Sequence, residues 1–264
     1  MSGPLNRILR RLFSFIPGAC CPMREWWPDR ESFLRDISAL IQANLNDAYL
    51  MAYMDASRST ANYIAERMKS ARCFRSAFTP VRGDQKARFD LLRYAVETTA
   101  LGGLILEFGV HTGDTVNFIA RHFQNRSVFG FDSFQGLPED WFLDTRKGTF
   151  DLNGKLPKVE SNVTLVPGWF QDTLPAFLKE HPGEIALLHI DCDLYESARF
   201  VLEQVVSRLR VGSVLVFDEY FNYPGWESGE YKALQELVSK YRIGYSYLGY
   251  TTQWYSAALV IDAI

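Results

Sequence analysis

The chain has 264 residues, 47% of them hydrophobic, and a formal net charge of -3. That length holds one α/β domain with a sizeable core plus appended elements rather than two full domains. The near-neutral balance, without basic blocks, argues against nucleic acid and for a small-molecule partner. No run approaches the roughly 18 apolar residues that cross a bilayer, and Cys20, Cys21, Cys73 and Cys192 show neither zinc spacing nor disulfide density, which suits a reducing cytoplasm.

Residues 1–29 form an amphipathic, then irregular, N-terminal segment in which Arg7, Arg10 and Arg11 interleave with Leu5, Ile8, Leu9, Leu12, Phe13, Phe15 and Ile16. Membrane contact through residues 4–16 is one reading, and a mobile or partner-packed amphipathic helix is the favoured one. Pro17-Gly18 ends the apolar core too early for a signal peptide. Residues 30–100 read as a helical extension, a lid or dimerisation element. Phe33, Ile37, Leu40, Ile41, Leu45, Leu50, Met54, Tyr63, Ile64 and Met68 recur at helical intervals with a break expected near Asp55 to Ser59. So rich a stripe predicts a homo-oligomer. A connector at Phe78-Thr79-Pro80 leads to a helix from Asp84 to Thr99.

Residues 101–264 then alternate. Strands are predicted at Leu104 to Phe108, Ser127 to Phe131, Val163 to Val166, Ile185 to Ile190, Ser213 to Phe217, Tyr245 to Gly249 and Ser256 to Ile261. Helices fall at Asp114 to Phe123, Thr173 to His181, Tyr195 to Leu209 and Glu230 to Lys240. This order specifies an α/β fold with a doubly wound, mostly parallel, seven-stranded sheet. The Ser133 to Ser161 insertion is long enough for a lid, and its Asn153-Gly154 pair signals a hairpin.

Chemistry concentrates where strands run out. Glu107-Phe108-Gly109-Val110-His111-Thr112-Gly113-Asp114-Thr115 is a tight strand-to-helix turn of the kind that admits a nucleotide, and His111 within it is placed to touch cofactor or substrate. Asp132, ending the second strand, is placed to accept both ribose hydroxyls of an adenosine. Asp191 and Asp193 end a strand buried on both faces, and Asp218-Glu219 end the next. If those strands are neighbours, about 4.8 Å apart, Asp191, Asp218 and Glu219 can share one hard divalent cation. His189 within its strand reads as a core histidine. The Asp191-Cys192-Asp193 pattern also suits a metal-dependent glycosyltransferase, although the glycine turn with Asp132 favours adenosine.

Leu106-Glu107-Phe108-Gly109-Val110 with Gly113, then Gly130-Phe131-Asp132-Ser133-Phe134 with Gly136-Leu137-Pro138 and Trp141, then His189-Ile190-Asp191-Cys192-Asp193-Leu194-Tyr195 resemble the macrocin O-methyltransferase family. The resemblance covers Leu104 to Ile261 and is to a variant branch. It implies a class I, Rossmann-like, S-adenosylmethionine-dependent enzyme acting on sugar or related natural-product hydroxyls with magnesium. It further implies that Glu107, Gly109 and Gly113 shape the methionine and ribose end, with His111 and Thr115 in the same turn. Asp132 and Ser133 are implied at the ribose, and Trp169 and Phe170 at the adenine. Asp191 is implied as metal ligand and Asp193 as general base. The family's adjacent aspartates are replaced here by Asp218-Glu219, which puts the metal site in question. A non-catalytic S-adenosylmethionine-binding protein is the remaining rival.

Overall fold

In the computed structural model the described residues are 48–75, 85–142, 145–251 and 254–264. The expected helix over residues 4–16, the helical stretch before residue 48 and the connector Phe78-Thr79-Pro80 lie outside them. The chain divides into two compact units, one of residues 1–69, 77–82 and 222–224, the other of residues 70–76, 83–221 and 225–264. Among the described residues no helix is long and apolar enough to cross a membrane.

In the first unit, α1 (Ala48–Arg67) is continuous, so the break expected near Asp55 to Ser59 is absent. The segment contains neither proline nor glycine, and Asp55, Arg58 and Ser59 find partners inside the helix. Arg58 pairs with Asp55 at 3.2 Å and Ser59 Oγ donates to the Ala56 carbonyl at 3.1 Å.

The second unit is built on one sheet. Its strands are β1 (Arg72–Phe74), β2 (Leu104–Phe108), β3 (Val128–Asp132), β4 (Val163–Pro167), β5 (Ile185–Ile190), β6 (Val214–Phe217), β7 (Gly244–Thr251) and β8 (Ala257–Ala263). Its α-helices are α2 (Lys86–Thr98), α3 (Asp114–His122), α4 (Phe170–Glu180), α5 (Tyr195–Val205) and α6 (Glu230–Tyr241). The strand order is β1-β7-β8-β6-β5-β2-β3-β4. Neighbours are parallel, except that β8 runs antiparallel to both β6 and β7. The sheet therefore has eight strands where the sequence predicts seven. The addition is the three-residue β1, which extends the edge in parallel with β7 and is too short for any periodicity to register.

Every residue of β5 and β6 is buried, as central strands covered on both faces require. On one face Leu91, Leu92, Ala95 and Val96 of α2 and Val116 and Ile119 of α3 share a core with Ile105, Leu187, Val214 and Val216. On the other, Phe177 of α4 packs edge-on against Phe131, with ring centroids 5.0 Å apart. The chain runs from β2 outward to β3 and β4, then returns past β2 to build β5 and β6. The carboxyl ends of β2 and β5 thus flank the point where the winding reverses, the usual seat of a ligand in such sheets. The pairing His189↔Val216 and Ile190↔Phe217 brings the ends of β5 and β6 side by side, as the acidic-site reading requires.

The insertion after β3 departs from expectation. Asn153 and Gly154 take φ of +53° and +69°, and Lys155 N–H reaches the Leu152 carbonyl at 3.1 Å, so the tight turn forms. No strands flank it; one isolated bridge, Gln135 with Asp151, stands where a hairpin is predicted. Pro157 offers no N–H to a ladder, and the turn is tied instead by Leu152 and Gly154 N–H groups to the Phe134 carbonyl at 3.3 and 3.0 Å.

Candidate functional site

A cleft of about 530 Å³ opens at the carboxyl ends of the central strands, within the range that encloses a cofactor-sized ligand. Gly109 begins its floor. At φ +94° it passes so close to the loop after β5 that a Cβ would fall 1.7 Å from the Asp191 carbonyl oxygen, so only glycine fits. Gly113, at φ +88°, starts α3 with the unpaired N–H groups of the first turn beyond it. Gly109, His111, Thr115, Asp132, Ser133, Trp169 and Phe170 all line the cleft, as do Asp191, Asp193, Asp218 and Glu219. Gly113 and Glu107 do not.

Asp132 sits where the sequence places it, with much of its hydrogen-bonding capacity already in use. Its Oδ2 accepts the Val110 and His111 N–H groups, both at 2.8 Å, and its Oδ1 accepts the Phe134 N–H at 2.7 Å. The carboxylate thereby clamps the glycine turn onto β3. Oδ1 keeps one lone pair for a further donor, rather than the two sites a pair of ribose hydroxyls would use. Ser133 Oγ caps the Gln135 N–H at 3.1 Å. Phe170 holds its ring edge-on to Phe108 at 5.3 Å, which positions the start of α4 beside the turn.

Glu107 is fully buried behind the cleft. Its Oε1 accepts Thr115 Oγ1 at 3.0 Å and its Oε2 lies 2.9 Å from Nδ1 of the equally buried His189. Burial opposes charge on that imidazole, but the Glu107 bond and charge outweigh it and raise its pKa. Glu107 therefore acts on the cleft through α3 and β5.

The acidic end is more crowded. Asp191, Asp193 and Glu219 bring carboxylate oxygens within 4.8 Å of one another, and so do His189, Asp191 and Asp218 in ligand atoms. The expected trio of Asp191, Asp218 and Glu219 is thus split between two overlapping groups that share Asp191. Arg88, from α2, stands on the Asp218 side, with Nε 2.7 Å from Asp218 Oδ1 and Nη2 2.6 Å from Asp191 Oδ2. Burial disfavours the guanidinium charge, yet Asp218 and Asp191 outweigh it and the pKa of Arg88 is raised. Burial would likewise raise Asp218, but Arg88 and His189 overcome it and hold Asp218 below the usual carboxylate range. Asp191 goes the other way: burial and then Asp218 push it up to about 7 against the pull of Arg88. Asp193, at φ +63°, and Glu219 are pushed well above their ordinary values by burial first and neighbouring carboxylates second.

Sequence reasoning misses two members. Arg88 shares a helix face with Leu91, Leu92 and Ala95 at spacings of three, four and seven, so a charge standing on an apolar stripe is the signal that identifies it. Glu230, fully buried at the start of α6, lies 3.3 Å from the Cys192 N–H and 3.3 Å from the Glu219 N–H, tying the loops after β5 and β6 together. In sequence it looks like an ordinary acidic first-turn residue.

The mixed, mostly parallel α/β sheet is the fold typical of class I methyltransferases. Residues 106–220 match the Methyltransferase domain family model Methyltransf_24. The chain is similar to 8-demethyl-8-(2,3-dimethoxy-alpha-L-rhamnosyl)-tetracenomycin-C 4'-O-methyltransferase of Streptomyces olivaceus, at 33% identity over 159 residues, 50% of this chain and 60% of that protein. It is also similar to demethyldecarbamoylnovobiocin O-methyltransferase of Streptomyces niveus, at 28% identity over 181 residues, 58% of this chain and 68% of that protein. The chain thus spans about 60% of the length of the first of these relatives. Among solved structures a calicheamicin methyltransferase superposes with a TM-score of 0.56 at 22% identity, covering 78% of this chain and 91% of that one, which is a likeness of fold.

Proposed function

We propose that the protein is an S-adenosylmethionine-dependent methyltransferase that methylates a hydroxyl of a sugar-bearing or related small molecule. The observation that carries this reading is the meeting, in one cleft at the winding reversal, of a glycine turn with a buried carboxylate cluster. The family match and the names of the relatives support methyl transfer to oxygen in particular. In this reading Gly109, His111, Thr115, Asp132, Ser133, Trp169 and Phe170 hold the methyl donor, with Gly113 shaping the turn and Glu107 bracing it from below. Asp193 takes the proton released from the acceptor hydroxyl, and the aromatic residues Trp141 and Phe150 of the insertion help exclude water from the reacting atoms.

The residues present fit a magnesium ion on one side of the cluster. A hard cation needs several converging oxygens, which Asp191, Asp193 and Glu219 supply, and Glu219 Oε2 is buried without a hydrogen-bond partner among the described residues. When bound, such an ion lowers the pKa of an acceptor hydroxyl and orients its oxygens. A carboxylate has two oxygens, so a ligand role for Asp193 is compatible with its role as proton acceptor. Self-association of the chain into a cytoplasmic homo-oligomer is part of the same proposal, and light scattering tests the oligomer directly.

Calorimetry with S-adenosylmethionine, followed by mass spectrometry of rhamnosylated acceptors incubated with a labelled methyl donor, tests the proposal. Label on an acceptor oxygen is expected. Tight donor binding with no transfer to any acceptor would favour a non-catalytic binding protein, and binding of a nucleotide-sugar alone would favour a glycosyltransferase.

A further inference from the structure

Asp218 already accepts three protein donors. Its Oδ1 accepts Arg88 Nε at 2.7 Å and Ser256 Oγ at 3.1 Å, and its Oδ2 accepts Trp254 Nε1 at 3.1 Å. The same guanidinium reaches Asp191 Oδ2 at 2.6 Å, so a single internal cation spans the ends of β5 and β6. Its orientation is held from two further directions. Nη1 lies 3.4 Å from Gln85 Oε1, and the guanidinium carbon stands 5.7 Å from the Trp254 ring centroid. Two parallel-sided donors on one rigid plane are what arginine offers and lysine does not. Beyond Asp191 the situation reverses. Asp193 and Glu219 reach no cationic side chain among the described residues, and Glu219 Oε2, buried, has no hydrogen-bond partner there.

We infer that Arg88 divides the carboxylate cluster in two: a closed ion-pair compartment of Asp218, Arg88 and Asp191, which takes no divalent ion, and a cleft-side compartment of Asp191, Asp193 and Glu219, which does. Arg88 is therefore a positioning residue. It fixes Asp191 at the boundary and, by holding one of its oxygens and placing a positive charge beside the site, keeps divalent affinity low. The inference rests on the proposed function only in assigning the cleft side to a divalent ion. Its consequence is that the strand-end pair read from sequence as the metal bridge is bridged by the protein itself.

The probe is manganese(II), titrated into the full-length protein and followed by the electron paramagnetic resonance of the free ion, with donor affinity measured separately by calorimetry. Arg88→Met is expected to bind manganese at least about tenfold tighter, because a unit positive charge near a divalent ion is removed and Asp191 is freed. Glu219→Gln is expected to weaken binding about tenfold, since a carboxylate ligand is lost. A folded Arg88→Met protein with equal or weaker manganese affinity overturns the inference, and so does absence of manganese binding in both wild type and variant. Should thermal melting show Arg88→Met unfolded, Arg88→Lys decides. It keeps the charge but cannot bridge, so tighter binding by roughly threefold is expected, and unchanged or weaker binding overturns the proposal. Failure of wild type to bind S-adenosylmethionine would refute the proposed function while leaving the manganese result to stand or fall alone.

Discussion

The two halves of the cleft are put together in opposite ways. The glycine-turn half is local: Asp132 grips Val110 and His111 across 22 and 21 residues, and every oxygen in that grip faces a backbone N–H. The acidic half is long-range: Arg88 reaches Asp191 across 103 residues and Asp218 across 130. One half is electrostatically satisfied as folded. The other gathers more carboxylates than its one guanidinium and one buried imidazole can neutralise, which raises the pKa of Asp191, Asp193 and Glu219. A ligand meeting the first half finds a finished shape, and a cation meeting the second relieves a charge imbalance.

The sharpest way to break this contrast is at Gly109, where the backbones of the two halves touch. Gly109→Ala combines a left-handed φ with a Cβ driven into the Asp191 carbonyl, and a loss of roughly 3 to 5 kcal/mol in stability is expected. A melting temperature within a degree or two of wild type would show that the two loops yield independently. Next in size is Asp193→Asn, which keeps shape and removes the proton acceptor. Turnover should fall on the order of 100-fold or more while donor affinity stays within about twofold. Turnover and donor affinity falling together would place Asp193 in the nucleotide half instead.

Asp132→Ala addresses the other half. It leaves three N–H groups without their acceptor, and a stability loss of about 1.5 to 3 kcal/mol is expected. Weaker donor binding should accompany it. If donor affinity falls with the melting temperature unchanged, Asp132 is a ribose anchor and not a clamp.

The smallest effect expected is a pH dependence confined to the acidic half. Asp191 has its pKa raised from 3.8 to about 7, so the folded state holds a proton that the unfolded state has released across that interval. The resulting stabilisation is complete below the unfolded value and is lost as pH rises through about 7. Raised values at Asp193 and Glu219 act in the same direction. His189, also raised, adds stability present below 6.5 that is lost as pH climbs through its folded value. Asp218, lowered, acts oppositely, and only in acid. The ligand-free protein should therefore melt at a lower temperature at about pH 8 than at about pH 5, and manganese should shrink the difference. A melting temperature that rises over that range would mean the carboxylates are already ionised in the fold.

Much of this was legible before any fold. Glycines at 109 and 113, the carboxylate at 132, and the acidic residues that end β5 and β6 all follow from strand periodicity and from the rule that ligands gather past strand ends. Each depends on residues a few positions apart, where backbone geometry leaves few choices. The edge strand β1 and the absent hairpin at Asn153-Gly154 were not legible, because a three-residue strand carries no period and a tight turn does not oblige its flanks to pair. What only tertiary structure decided is the fate of the charges. Local sequence says that Asp191 and Asp218 lie at neighbouring strand ends, but which cation meets them depends on how α2 lies across the sheet. That packing is set by the apolar stripe of Leu91, Leu92, Ala95 and Val96, and it carries Arg88 to the carboxylates as a consequence.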